Sequence, residues 1–93
     1  MSTLVRFTPA PGVTTQQYDE VIRNLQESGD WLPEGLDYHV AFGSNGDFRV
    51  SEVWDSTKQF ETFGSRLMPM LAEAGITLAG EPEVLEIHNI EKR

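Results

Sequence analysis

Apolar and polar positions along this chain follow two different periods, and the switches between them mark six elements. Leu4 to Phe7 reads as a short strand. Pro9-Ala10-Pro11-Gly12 must end it, because proline has no N–H to give a ladder. Thr14 or Thr15 can then cap a helix, with Gln17 in capping-box register to Thr14. Tyr18, Val21, Ile22 and Leu25 fall on one helical stripe, and Gly29 supplies a left-handed stop. In the loop Asp30-Trp31-Leu32-Pro33-Glu34-Gly35, Trp31 and Leu32 have two readings. They plug the end of the core, or they form a subunit contact, where tryptophan is enriched.

Leu36 to Phe42 and Phe48 to Trp54 alternate with the period of strands and are joined at Asn45-Gly46. Both turn residues tolerate positive φ, so a type I′ hairpin is expected. A register that pairs Ser44 with Asp47 sets His39 opposite Glu52, Ala41 opposite Val50 and Asp37 opposite Trp54. Leu36, Tyr38, Val40 and Phe42 then share the other face with Val53, Ser51 and Arg49. Large apolar residues thus lie on both faces, whereas a half-solvated antiparallel sheet shows one polar face. Something must cover the second side.

Ser56 caps a second helix, with Gln59 in capping-box register and a stripe of Phe60, Phe63, Leu67, Met70, Leu71 and Ala74. Gly75 ends it. Gly64 costs about 1 kcal/mol relative to alanine in a helix interior. Pro69 cannot donate to the carbonyl of Ser65, which predicts a kink. The kink either follows the sheet twist or holds the helix off the sheet. After Gly80-Glu81-Pro82, Val84 to Ile90 reads as a last strand.

The order strand, helix, strand, strand, helix, strand predicts an α+β, ferredoxin-like βαββαβ fold over residues 1–93 as a single domain. Right-handed crossovers interleave its two split βαβ units into a four-stranded antiparallel sheet with two helices on one face. A homodimer whose sheets meet face to face, a dimeric α/β barrel, would cover the bare side.

Size and charge narrow the partners. A chain of 93 residues buries only roughly 60–65% of its unfolded surface, so self-association is a natural way to bury more. Fifteen acidic against seven basic residues give a net charge of -8, which excludes nucleic acid and anionic membrane surfaces as expected partners. The absence of cysteine removes disulfides, thiolate metal sites and cysteine nucleophiles, and suits a reducing compartment. Met1 to Arg6 shows no secretory signal, and no apolar run reaches the length of a membrane span. A cytoplasmic location is the expectation.

The segment Glu52-Val53-Trp54-Asp55-Ser56, followed by Phe60 and Phe63, resembles the dimeric α/β-barrel superfamily of antibiotic-biosynthesis and haem-degrading monooxygenases. The shared feature is a tryptophan ending the third strand, a helix cap directly after it, and an aromatic one turn into the helix. Leu67-Met68-Pro69 and Glu86-Ile87-His88-Asn89 are similar to small bacterial members without an assigned activity. The haem-degrading branch uses a histidine on the second helix and an asparagine on the first strand. Here no histidine lies between Ser56 and Gly75 and no asparagine between Thr3 and Thr8, so haem degradation is not expected. The quinone-forming branch uses no metal or organic cofactor, and the resemblance implies none here. Its chemistry needs an enclosed apolar slot and a group to handle a phenolic hydroxyl.

Two histidines are the only imidazoles available. His39 opposite Glu52 has two readings: an oriented base and its carboxylate partner, or a cross-strand pair satisfying two half-buried polar groups. These are the candidate catalytic residues. Trp54, Phe60 and Phe63 are candidates to line a ligand pocket between sheet and second helix, the alternative being plain core. His88 shares a side with Glu86 and is the remaining ligand-binding candidate, its face undetermined by pattern. No close-spaced ligand motif supports a metal site. Two functions follow as expectations: a small homodimeric protein with an apolar ligand pocket near Trp54, or a cofactor-independent monooxygenase-like enzyme acting on a small aromatic or polyketide-like compound.

Overall fold

The computed structural model describes residues 2–93. Its elements run β1 (Thr3–Phe7), α1 (Thr15–Ser28), β2 (Leu36–Ser44), β3 (Asp47–Trp54), α2 (Thr57–Glu73) and β4 (Glu83–Glu86). Every strand pair is antiparallel, and the order across the sheet is β2-β3-β1-β4. This is the ferredoxin-like α+β arrangement that the element order predicts.

The helix ends follow their sequence signals. Thr14 and Gln17 form the reciprocal capping box at the start of α1, and Gly29 at φ 82 stops it. Ser56 accepts from the backbone of Gln59 at the start of α2. At its end, Gly75 N–H reaches Ala72 O and Ile76 N–H reaches Leu71 O, closing a Schellman motif. The Gln17 side chain donates to the carbonyls of Ala74 and Gly75 and so ties the two helices together. Helix α2 continues through Pro69, whose exposed position leaves the orphaned Ser65 carbonyl on the side open to water.

One face of the sheet carries the core. Val5 and Phe7 of β1 and Phe48, Val50 and Trp54 of β3 pack with Val21 and Leu25 of α1 and with Phe60, Phe63 and Leu67 of α2. The opposite face keeps large apolar side chains at its surface, with Tyr38 at 50%, Phe42 at 42% and Leu85 at 46% exposure.

Three local features differ from the sequence expectation. Leu36, not Asp37, pairs with Trp54, because a bulge between Leu36 and Tyr38 inserts one residue in β2. The bulge leaves acidic Asp37 exposed and turns Leu36 onto the helix-covered face, where it packs on the core. The hairpin is not type I′, since no described non-glycine residue has positive φ. Gly43 (φ 97) and Gly46 (φ 90) supply the left-handed conformations instead. Asn45 uses its side chain elsewhere: its Oδ1 accepts from the Thr15 N–H at 2.7 Å, satisfying an orphan donor at the start of α1. Finally, β4 ends at Glu86, not at Ile90. Its sole partner is β1, whose first residue, Thr3, already faces Glu86.

Two glycine substitutions should act in opposite directions in urea unfolding. A Cβ at Gly43 would fall 2.2 Å from the Asp47 carbonyl oxygen, in a backbone region alanine resists, so Gly43→Ala should destabilise by about 1–3 kcal/mol. Nothing lies within 4 Å of a Cβ at Gly64, so Gly64→Ala should stabilise by about 0.5–1 kcal/mol.

Candidate functional site

Glu52 is the starting point, because a carboxylate that is 2% exposed needs partners. Strand alternation places Glu52 on the same face as Trp54, and the Trp54 Nε1–H donates to Glu52 Oε1 at 2.9 Å. The β2–β3 register places His39 directly opposite, with His39 Nδ1 at 2.6 Å from Glu52 Oε2. A carboxylate only accepts, so this network assigns the hydrogen to Nδ1. On its other side, Nε2 of the ring is hydrogen-bonded with the Tyr18 hydroxyl at 2.6 Å. Tyr18 reaches this position from α1, its ring stacked on His39 at 5.8 Å. Trp31 meets the same imidazole edge-on, with ring centroids 5.0 Å apart.

The result is one chain of hydrogen bonds, Tyr18 to His39 to Glu52 to Trp54, drawn from α1, β2 and β3. Among the described residues no buried side-chain nitrogen or oxygen lacks a partner. Burial is the main cause that pushes the Tyr18 hydroxyl up to about 12, with the Glu52 and Asp19 charges adding to it.

Beside this chain lies a cavity of about 60 Å³ between the sheet and both helices. Tyr18, His39 and Glu52 are among its lining residues with Val21, Leu25, Phe63, Leu67 and Ile76, and the surface it presents is apolar throughout. Trp31 closes it from the loop between α1 and β2. Among the described residues no group of three or more histidine or acidic side chains is placed to hold a metal ion.

Of the residues singled out by sequence, His39, Glu52 and Phe63 meet at this cavity. Trp54 and Phe60 do not line it. The Trp54 ring is fully buried between Phe60 at 5.7 Å and Phe63 at 5.6 Å, and its N–H is committed to Glu52, which leaves no gap at that end. Trp54 is therefore an anchor for the carboxylate rather than a pocket wall. His88 lies apart from all of these. Its segment runs past the end of β4 and lines a groove on the opposite face of the sheet with Leu4, Tyr38, Val53 and Leu85.

Two residues of the constellation were not singled out. Tyr18 looks like one more apolar member of the α1 stripe, and only its hydroxyl sets it apart from Val21, Ile22 and Leu25. Trp31 reads as a core plug or a subunit contact, and nothing local says that it faces His39. Leu32, its neighbour, stays 67% exposed.

A ferredoxin-like sheet with a buried carboxylate–imidazole–phenol chain at one end of an apolar cavity defines the site. No family model matches the sequence, and no curated protein is similar to it. Solved structures share its fold. A point mutant of SnoaB, a cofactor-independent oxygenase from Streptomyces nogalater, superposes with a TM-score of 0.64 at 14% identity, over 96% of this chain and 94% of that one. A protein provisionally assigned as an antibiotic biosynthesis monooxygenase from Deinococcus radiodurans gives 0.63 at 14% identity, over 100% and 98%. Rv0793 from Mycobacterium tuberculosis gives 0.56 at 15% identity, over 98% and 95%. The chain therefore shares the architecture of these proteins over nearly its whole length, as the resemblance of the Trp54-Asp55-Ser56 segment implies.

The raised Tyr18 hydroxyl has a consequence in alkali. A folded-state value above the ordinary 10.0 contributes stability that is complete below pH 10 and is lost as pH rises through about 12. Thermal melting between those limits should show the loss in the wild-type protein and a shallower fall in Tyr18→Phe.

Proposed function

We propose that the protein is a small homodimeric binding protein whose cavity takes a compact apolar ligand against the His39–Glu52 pair. The observation that carries this reading is the position of that pair. A buried carboxylate and its imidazole partner stand directly beside an apolar space, among the residues that line it. Ligand sites in small domains have this composition, with apolar walls and few convergent polar groups.

The cavity is small for a ring. Dry apolar cavities that take benzene measure about 150 Å³, against about 60 Å³ here. Entry of a ring thus requires one wall to move, and Trp31 is the wall carried by a loop rather than by a helix or strand. Toluene added to the labelled protein should shift the methyl and ring resonances of Val21, Leu25, Phe63 and Leu67. Trp31→Ala should bind toluene more tightly than wild type. Unmoved resonances in both proteins at saturating toluene would remove the ligand-binding reading.

A second reading is favoured by the fold shared with a cofactor-independent oxygenase. Here the site is enzymatic and monooxygenase-like. His39 is the base, Glu52 orients it, and the substrate is a small aromatic or polyketide-like compound whose anion reacts with dioxygen. His39→Ala separates the two readings, since it should abolish turnover in the second and only loosen binding in the first.

The dimer part rests on the uncovered sheet face. Tyr38, Val40, Phe42 and Leu85 lie together there at 38% exposure or more. A chain of this size gains from burying such a face against a second copy. Light scattering at micromolar concentration should give the mass of a dimer, and Phe42→Glu should give that of a monomer. A wild-type monomer would sink this part.

A further inference from the structure

Phe63 belongs to two spaces. It is a wall of the apolar cavity, and it also lines a surface groove of about 370 Å³ between helix α2 and the loop before β2. The groove differs from the cavity in composition. Lys58, Thr62 and Arg66 run along it on one stripe of α2, with Gln59 beside them and Glu34 on the loop. A side chain of Phe63 is thus all that the two spaces have in common, one dry and the other polar.

The cavity has a second thin wall, where Leu71, Ile76 and Leu78 are shared with a groove at the end of α2. That wall is stitched by backbone hydrogen bonds. Ile76 N–H reaches Leu71 O at 2.9 Å, Ala10 N–H reaches Thr77 O at 2.7 Å and Ala79 N–H reaches Thr8 O at 2.8 Å. The loop end is built otherwise. Its flanks are tied, with Asp30 N–H on Leu25 O at 2.9 Å and Asp55 N–H on Gly35 O at 2.8 Å. Between them, among the described residues, no backbone hydrogen bond holds Trp31, Leu32 or Glu34. Trp31 is kept in place by ring contacts with His39 at 5.0 Å and Phe63 at 6.4 Å, and the exposed Arg66–Asp30 pair at 3.5 Å adds little. Parting Trp31 from Phe63 therefore breaks no backbone bond, and such segments open at low cost.

We propose that the groove is the outer half of the ligand site: the apolar head of a ligand passes between Trp31 and Phe63 into the cavity, and a polar tail stays in the groove. The proposal rests on the cavity being a ligand site, as argued above. It also supplies the room that a ring lacks in a space of about 60 Å³, because moving the Phe63 ring joins the cavity to the groove. The charges choose the tail. Lys58 and Arg66 are balanced by Glu34 and by Asp30, the partner of Arg66, so the groove favours neither sign. Hydrogen-bonding groups remain at Gln59 and Thr62. The class selected is an elongated molecule with an apolar ring at one end and an uncharged hydroxyl or amide at the other.

The test uses the full labelled chain with toluene, which has a head alone, and 4-phenylbutan-1-ol, which has head and tail. Both should shift the methyl resonances of Val21 and Leu25, and only the alcohol should also shift Gln59 and Thr62. The chain has no cysteine, so Thr62→Cys and Ala72→Cys each give a single thiol, one in either groove. Each variant, checked for folding by thermal melting, is capped with a polyethylene glycol maleimide. The cap on Thr62→Cys should slow toluene exchange by about tenfold or more, and that on Ala72→Cys should leave it within about twofold. Slowing by the Ala72→Cys cap alone, or by neither, overturns this entrance and leaves the cavity reading intact. An alcohol that moves Gln59 and Thr62 without Val21 and Leu25 overturns the joined site. Toluene that fails to bind wild type overturns the cavity reading and the proposal with it.

Discussion

The burial of Glu52 is the constraint that the rest of the structure answers. An ionised carboxylate removed from water is costly unless hydrogen-bonded donors replace its hydration. Two side chains do so here, the Trp54 indole and the His39 imidazole. Their positions then propagate. Trp54 gives its N–H to Glu52, and its ring is clasped by Phe60 and Phe63 of α2. His39 must present Nδ1 to the carboxylate, so Nε2 turns toward α1, where Tyr18 supplies a hydroxyl. One buried charge thus sets how both helices meet the sheet.

The sequence makes part of this legible and hides the rest for identifiable reasons. Alternation and the Asn45-Gly46 reversal are local signals, and they bring His39 opposite Glu52 in the register observed. They also bring Asp37 opposite Trp54, which is not observed, because a bulge is one extra residue that leaves no period of its own. Asn45 shows a second limit. Its composition fits a type I′ turn, but the Thr15 N–H offers its side chain a partner thirty residues away in sequence, and the tertiary bond decides the geometry. Tyr18 and Trp31 are hidden for the same reason. A helical stripe tells that Tyr18 is buried, not that its hydroxyl meets an imidazole from β2. A loop tryptophan carries no period at all. The truncated β4 is a further case, since a strand's length is set by its partner and β1 begins at Thr3.

The two faces of the sheet are solved differently. On the helix face every buried side-chain nitrogen and oxygen among the described residues is paired, and aromatic rings fill the space near Trp54. On the other face Val53 is 4% exposed while Tyr38, Phe42 and Leu85 stay open. Part of its cover is the segment after β4, since Ile87, His88 and Ile90 line the groove over Leu4 and Val53. His88 therefore belongs to the chemistry of that face and not to that of His39.

The cavity is the feature that packing alone does not require. At about 24 cal/mol per Å³, an unfilled space of this size costs about 1.4 kcal/mol, a sizeable fraction of what a small domain has to spare. A larger residue at Val21 or Val50 would fill part of it at no cost in polarity, and alternation would be unaffected. The space instead lies beside Tyr18, His39 and Glu52, which are among its lining residues. At the Trp54 end the same sheet and the same helix α2 pack without one. The contrast within a single core places the gap on the α1 side of the sheet, beside the hydrogen-bonded chain, and not at the Trp54 end.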